Sequence, residues 1–421
     1  MVFYFSKSGT LKYDYIVHPG GKPSDIKMKY SGVNTISELK NGLSVQNELM
    51  KIEDLDPIAF YGGEKTADSP LKIISCGFDT GSDEISFVLG EYDNTKEIII
   101  DPNLEWSFLT GGRDGDHGYA LQLDKNNNIF LGGNSLSGDF PVTPGSWQDV
   151  KAGHFDAYIA KFNAGGKLQW ATFFGGTQAE YIYDMKLDRF ENIIIGGWTW
   201  SEDMPVTENA FQENFIGSDY STEGFLAKFD NSGKLLWSTY YGGWGNEHIN
   251  SLDVDNAGLI ALIGWTNSRG FVVSPNAFQD TLRGAEDAFL ARFTQDGEFI
   301  WATFFGGDSL DKATSVSYDN SGNIVFSGYT QSIRLAASGN PFQKINNGAT
   351  DCFIAKFSGF GDLIWSGYFG GKHHDYSEDM VINLKNEILI AGRTYSDSLP
   401  FTENFIQKYL NGDEDAFLVK F

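Results

Sequence analysis

The heptapeptide WATFFGG occupies Trp170–Gly176 and returns unchanged at Trp301–Gly307. WSTYYGG stands at Trp237–Gly243, WSGYFGG at Trp365–Gly371 and WSFLTGG at Trp106–Gly112. The tryptophan thus recurs about every 65 residues along most of the chain. A fixed internal period means that one structural unit is built repeatedly, and this takes precedence over the reading of any single segment.

Between Trp106 and Trp170 the unit unfolds in order. GYALQLD (Gly118–Asp124) alternates as a strand does, KNNN turns it, and IFLGG (Ile129–Gly133) is a second strand. A long polar loop follows, then a third strand DAYIAKF (Asp156–Phe162), a turn NAGGK, and the fourth strand LQWATFFGG. That fourth strand is apolar on both alternating faces, as a strand covered on both sides must be. Four-stranded sheets stacked face to face are the blades of a β-propeller. DNSGN (Asp319–Asn323), DNAGL and NAGGK supply the Asn, Asp and Gly that tight hairpins need. They lack the spacing and terminal Glu of a calcium-binding loop.

The third strand ends at Phe162, Phe229, Phe293, Phe357 and Phe421. A fifth unit therefore has three strands, while a strand of the fourth type stands alone at Leu104–Gly112. Pairing Leu104–Gly112 with Ala416–Phe421 would close a ring of five blades. The expected fold class is all-β: an N-terminal β-sandwich-like domain over 1–103, followed by a five-bladed propeller over 104–421.

The composition agrees. Of 421 residues, 49 are glycine and 15% are aromatic, which suits strands and tight turns. A formal charge of −25 repels phosphate backbones and anionic lipid, so neither nucleic acid nor membrane insertion is expected. Cys76 and Cys352 are far apart in strand-like contexts and are expected as core residues.

The repeats resemble the bacterial SBBP (seven-bladed β-propeller) repeat family. The carrying strings are NNNIFLGGNSLSGDFP, SWQ, DAYIAKF and LQWATFFGG, with similar strings in four further registers. The count departs from the family's name. Residues 1–104, with LKYDYIVHPGGKPSDIKMKYSG, NGLSVQ and YDNTKEIIIDPNLEWSFLTGG, are similar to the domain that precedes such repeats. The resemblance implies an extracellular or cell-surface protein, often adhesin-like and part of a larger chain, without an established reaction.

Columns that recur in every unit should build blades; columns that vary are free to serve a ligand. Recurring columns are Ser137, Ser201, Ser268, Ser332 and Ser396; Gln148, Gln212, Gln279, Gln343 and Gln407; and Lys161, Lys228, Arg292, Lys356 and Lys420. Asp156, Glu223, Asp287, Asp351 and Asp415 recur at the other end of the third strand. Another acidic column, Asp116, Glu180, Glu247, Asp311 and Asp375, follows each Gly-Gly. Its carboxylates read first as caps of their own turns. As a ring they are also candidate ligands for Ca²⁺, the one cofactor considered.

The variable positions are aromatic-rich. Asn134, Trp198, Trp265, Tyr329 and Arg393 open the long loops, and Leu136, Trp200, Asn267, Gln331 and Tyr395 stand two further on. Trp244 and His248 lie in a loop entering the first strand of a unit, on the same face. Trp198, Trp200, Trp244, Trp265, His248, Tyr329 and Tyr395 are therefore the candidate ligand-binding residues, since aromatic platforms hold sugars and extended chains. Packing of these rings into small loop cores is the competing reading. The leading expectation is a noncatalytic module that binds a glycan or a surface protein. The alternatives are a polysaccharide-active enzyme, with Glu247 and Asp203 as a carboxylate pair, and a structural spacer.

Overall fold

The computed structural model describes residues 2–5, 11–28, 35–39, 42–46, 51–55, 57–61, 73–80, 85–101, 109–218, 220–336, 338–339, 341–400, 407 and 410–421. They fall into two compact units, 1–108 and 109–421. No described helix is long and apolar enough to cross a membrane.

The N-terminal unit is all-β. Its largest sheet runs, in spatial order, Val2–Phe5, Leu11–Val17, Ile98–Asp101, Ile58–Tyr61 and Ile73–Ile74. The hairpin Cys76–Thr80/Ile85–Leu89 packs on that sheet, burying Phe87 with Tyr15, Ala59, Ile98 and Ile100. Thr35–Leu39, Gly42–Gln46 and Lys51–Leu55 form a separate meander.

The second unit is built from repeated antiparallel sheets, as the period requires. Blades one to four each have four strands hydrogen-bonded in chain order, beginning with Asp116–Leu123, Glu180–Leu187, Glu247–Val254 and Asp311–Tyr318. Among the described residues the fifth has three: Asp375–Ile382, Ile388–Thr394 and Asp415–Lys420. Every first strand carries a bulge at the same place, between Gly118/Ala120, Ile182/Asp184, Ile249/Ser251, Ala313/Ser315 and Ser377/Asp379. Opposite it lies a glycine of the second strand: Gly133, Gly197, Gly264, Gly328 or Gly392. A Cβ there would overlap the first-strand carbonyl oxygen of His117, Tyr181, His248, Lys312 or Tyr376. This close approach is why the second glycine of IFLGG returns in each unit.

The repeated tryptophan latches one blade to the next. Trp170, Trp237 and Trp301 each donate Nε1–H to a turn carbonyl of the following blade, on Asn231, Gln295 and Gly359, at 3.0 Å. Each ring lies on the next turn's glycine, Gly233, Gly297 or Gly361, which has a positive φ of 82–92°. Lys228 and Arg292 reach the same carbonyls at 3.0 and 2.6 Å. These cations pair not with the acids at the far end of the third strand but with acids of their own blade's first hairpin, Lys228 with Asp188 at 2.8 Å and Arg292 with Asp255 at 3.1 Å.

Blades pack through two faces. On the leading face the sixth residue of the first strand, Met185, Leu252, Val316 or Met380, is buried against the preceding blade. On the trailing face the fourth residue of the third strand, Ile159, Leu226, Leu290 or Ile354, is buried against the following one. The equivalents at the two ends differ: Leu121 of blade one is 57% exposed and Leu418 of blade five 73%. Contact between these two blades would cover both, so ring closure is not seen among the described residues. The expected pairing of Leu104–Gly112 with the last strand falls partly on 102–108, outside the described residues.

Candidate functional site

The second residue of each first strand is the cross-strand partner of the first long-loop residue. The pairs are His117 with Asn134, Tyr181 with Trp198, His248 with Trp265, Lys312 with Tyr329, and Tyr376 with Arg393. Both columns vary, and together they form an arc across the blades. Phe155 meets Tyr181 at 5.3 Å between ring centroids, and Tyr181 stacks on Trp198 at 4.3 Å. Trp198 stacks on His248 of the next blade at 4.9 Å, and His248 meets Trp265 at 4.4 Å. Lys312 of blade four places Nζ 3.7 Å from the Trp265 ring centroid, within cation–π range, and pairs with Glu286 at 2.7 Å. Beyond Tyr329 the arc continues through Tyr376 at 5.0 Å to Arg393, whose guanidinium lies 4.6 Å from the Tyr376 ring centre. Glu378 and Glu414 hold Arg393 at 2.9 and 3.6 Å.

The candidates thus separate into an inner and an outer set. Trp198 is only 7% exposed, clamped between Tyr181 and His248. This corrects its reading as an open platform: the ring is loop-and-blade core, although its buried Nε1–H has no hydrogen-bond partner among the described residues. His248 and Trp265 are half-buried within the same stack. Burial, with Lys312 nearby, pushes the His248 pKa down to about 3, so its imidazole is neutral across the physiological range. Trp200 stands edge-on to Trp198 at 5.2 Å and is 42% exposed. Trp244 is 75% exposed and overlies Gly270. Tyr329 and Tyr395 are half-buried, and Tyr395 donates its hydroxyl to Glu414 at 2.7 Å. Tyr181, Lys312 and Tyr376 were not singled out from the sequence. Their signal was the pairing register, which sets each of them opposite a loop-opening residue.

The acidic column is turned inward. Glu180 accepts from Thr199 Oγ1 at 2.6 Å and Gly176 N–H at 3.1 Å; Glu247 accepts from Thr266 Oγ1 at 2.6 Å and Gly243 N–H at 2.7 Å. Asp116, Asp311 and Asp375 repeat this with Ser135, Thr330 and Thr394, and with the N–H of Gly112, Gly307 and Gly371. Glu180, Glu247, Asp311 and Asp375 are fully buried. Burial raises the pKa of Glu180 to about 7 and of Asp311 to about 6. No described group of three or more His, Cys, Asp or Glu side chains is arranged to hold a metal ion. Nor are Glu247 and Asp203 joined as a pair. Asp203 accepts instead from the N–H and hydroxyl of Thr177, at 2.8 and 3.0 Å. The glutamine column serves the loops: Gln279 donates to Asp287 at 2.6 Å and accepts from Gly306 N–H at 3.0 Å, and Gln148, Gln212 and Gln343 do the same in their blades.

Comparison with known proteins gives a family match at the N-terminal end of the chain. Residues 1–103 match a family described as a domain of unknown function, DUF7948. An uncharacterized WD repeat-containing protein, L264, of Acanthamoeba polyphaga mimivirus is 21% identical over 374 residues, which are 74% of this chain and 26% of that protein. The regulatory protein FlaEY of Caulobacter vibrioides is 26% identical over 163 residues, covering 38% of this chain and 17% of its own. The chain therefore spans only about a quarter or less of these relatives. Among solved structures, virginiamycin B lyase from Staphylococcus aureus is 8% identical, with 74% of this chain and 97% of that one covered and a TM-score of 0.32. The extracellular domain of the one-component system BT4673 from B. thetaiotaomicron is 11% identical, with 96% and 43% covered and the same TM-score of 0.32. At these scores neither neighbour bears on the function of this chain.

Proposed function

We propose that the protein is a noncatalytic recognition module that binds a neutral glycan or a similar extended surface polymer at the long-loop face of its blades. The observation that carries this reading is the aromatic–cationic arc. It is assembled from variable columns, while the recurring columns are consumed in building blades. Its inner rings, Tyr181, Trp198 and His248, form a rigid base. Trp200 and Trp244 stand exposed beside it on blades two and three, offering flat apolar faces of the kind that stack on sugar rings. A net charge of −25 disfavours polyanionic ligands, which leaves neutral chains as the matching class. The resemblance of the repeats to the SBBP family supports reading it as a module outside the cell or on its surface, as one part of a larger assembly. A screen of neutral polysaccharides and surface glycans, with product analysis on each hit, tests the proposal. Retention without turnover is expected. Release of shortened chains would make the protein an enzyme instead, and no retention of any glycan would remove the reading.

A further inference from the structure

Asn134 breaks the pattern of the arc. At its position blades two to four carry rings, Trp198, Trp265 and Tyr329, and blade five carries Arg393. Asn134 is fully buried, and neither its Oδ1 nor its Nδ2 has a hydrogen-bond partner among the described residues. It is the only described side chain that leaves two such atoms unpaired. A buried donor or acceptor without a partner costs stability, and native structures keep few of them. This one stands in a column that blade assembly leaves free to vary, so the scaffold does not account for it.

The register shows what surrounds the amide. In the three joints that follow, the loop-opening residue meets the second residue of the next first strand: Trp198 meets His248, Trp265 meets Lys312 and Tyr329 meets Tyr376. The equivalent neighbour of Asn134 is Tyr181, which is itself fixed flat on Trp198. In its own blade Asn134 pairs with His117 on one side and Ala157 on the other. Phe155 precedes Ala157 by two residues, and so lies on the same face, one diagonal step toward the loop. Its ring is half-buried and meets Tyr181 at 5.3 Å. Its backbone is held, with N–H donating to Gln178 O at 3.2 Å and the carbonyl accepting from Glu180 N–H at 2.8 Å. The ring can therefore turn out about its own side-chain bonds while the chain beneath it stays in place.

We propose that Asn134 is the hydroxyl-reading residue of the glycan site, covered by Phe155 until a sugar displaces that ring. A pyranose then lies against Tyr181 and sets two adjacent hydroxyls on the amide, one donating to Oδ1 and the other accepting from Nδ2. A carboxamide offers one acceptor and one donor side by side, which matches a pair of neighbouring hydroxyls. The inference rests on the glycan reading above and adds the part of the sugar that is read. Stacking faces such as Trp200 and Trp244 tolerate many sugars, whereas a buried amide left unpaired by the wrong ligand rejects it strongly.

The test uses the full chain with Asn134→Leu, Asn134→Ala and Phe155→Ala. Leucine keeps the branched shape and removes the unpaired atoms, so its melting temperature should equal or exceed that of the parent. Alanine serves as the second variant, free of any clash from the longer leucine. Methyl glucoside, methyl galactoside and methyl mannoside are the probes, read by ligand-observed NMR, beside their fully O-methylated forms. The parent should bind at least one glycoside and not its O-methylated form. Both Asn134 variants should bind it about tenfold or more weakly, the loss of one to two hydrogen bonds. Phe155→Ala should bind it at least as well as the parent, since no cover has to turn. A parent that binds none of the glycosides, or binds the O-methylated form equally, overturns the proposal. So does equal binding by a folded Asn134 variant, a large loss of stability in both of them, or loss of binding in folded Phe155→Ala. A polysaccharide retained by the parent and equally by both Asn134 variants removes this subsite alone; no retention of any polysaccharide removes the glycan reading with it.

Discussion

Trp198 and Trp200 are two residues apart, yet the structure gives them opposite work. Trp198 lies between two rings, and its truncation would open a cavity in the stack; Trp198→Ala should cost about 3–5 kcal/mol and lower the melting temperature clearly. Trp200→Ala removes an exposed ring and should shift stability by no more than about 0.5 kcal/mol. Thermal melts of the two variants check this, and equal losses would contradict the inner and outer division. The sequence showed both residues to be variable, and hence not demanded by every blade. It hid the burial of Trp198 because Tyr181 and His248, which enclose it, stand 17 and 50 positions away in other strands. The acidic column was legible as turn caps; the recurring hydroxyl of Ser135, Thr199, Thr266, Thr330 and Thr394, one per blade, was the further signal that those carboxylates face inward.

At the scale of strands and blades, the strand-four tryptophan should be worth more as a body than as a donor. Trp301→Phe loses the bond to Gly359, but Arg292 still donates to that carbonyl, so the cost should stay near 1 kcal/mol. Trp301→Ala also uncovers the turn glycine Gly361 and empties a buried site, and should cost about 3–5 kcal/mol. Denaturant titration of both variants measures the difference; near-equal losses would mean that the hydrogen bond dominates the latch. The strands themselves were readable because five copies agree on where apolar alternation starts and stops. The first-strand bulge was not, since one extra residue leaves no mark in composition and only the close glycine–carbonyl approach reveals it. The recurring cations were legible as a column but their partners were not: the antiparallel hairpin of the same blade brings Asp188 to Lys228 and Asp255 to Arg292.

The whole molecule should be most stable in mildly acidic solution. Burial raises Glu180 and Glu223 to about 7, and Asp311 and Asp351 to about 6, so the native state binds more protons than the unfolded chain above the ordinary carboxylate range. That stability is fully present below the unfolded pKa values and is lost as pH rises through about 6–7. Asp188 and Asp319 work in the other direction. Burial opposes their ionisation, but hydrogen bonds from Lys228 and Asn192, and from Lys356 and Asn323, hold them below the usual range. Their contribution disappears as pH falls through those lowered values. The melting temperature should therefore peak near pH 4–5, where the raised carboxyls are protonated and the lowered ones still ionised, and decline both toward pH 8 and in strong acid. Glu180→Gln should flatten the alkaline side, and a melting temperature still rising at pH 8 would contradict the assignment. On the same scale, the array separates residues that build blades from residues that vary along one face, and the binding proposal stands on that separation. Its most direct test is a binding titration of a retained glycan against the parent and the Trp200→Ala, Trp244→Ala double variant. The account predicts at least a tenfold loss of affinity, since two stacking rings at about 1 kcal/mol each are removed, with the melting temperature unchanged. Unchanged affinity in a fully folded double variant would contradict it.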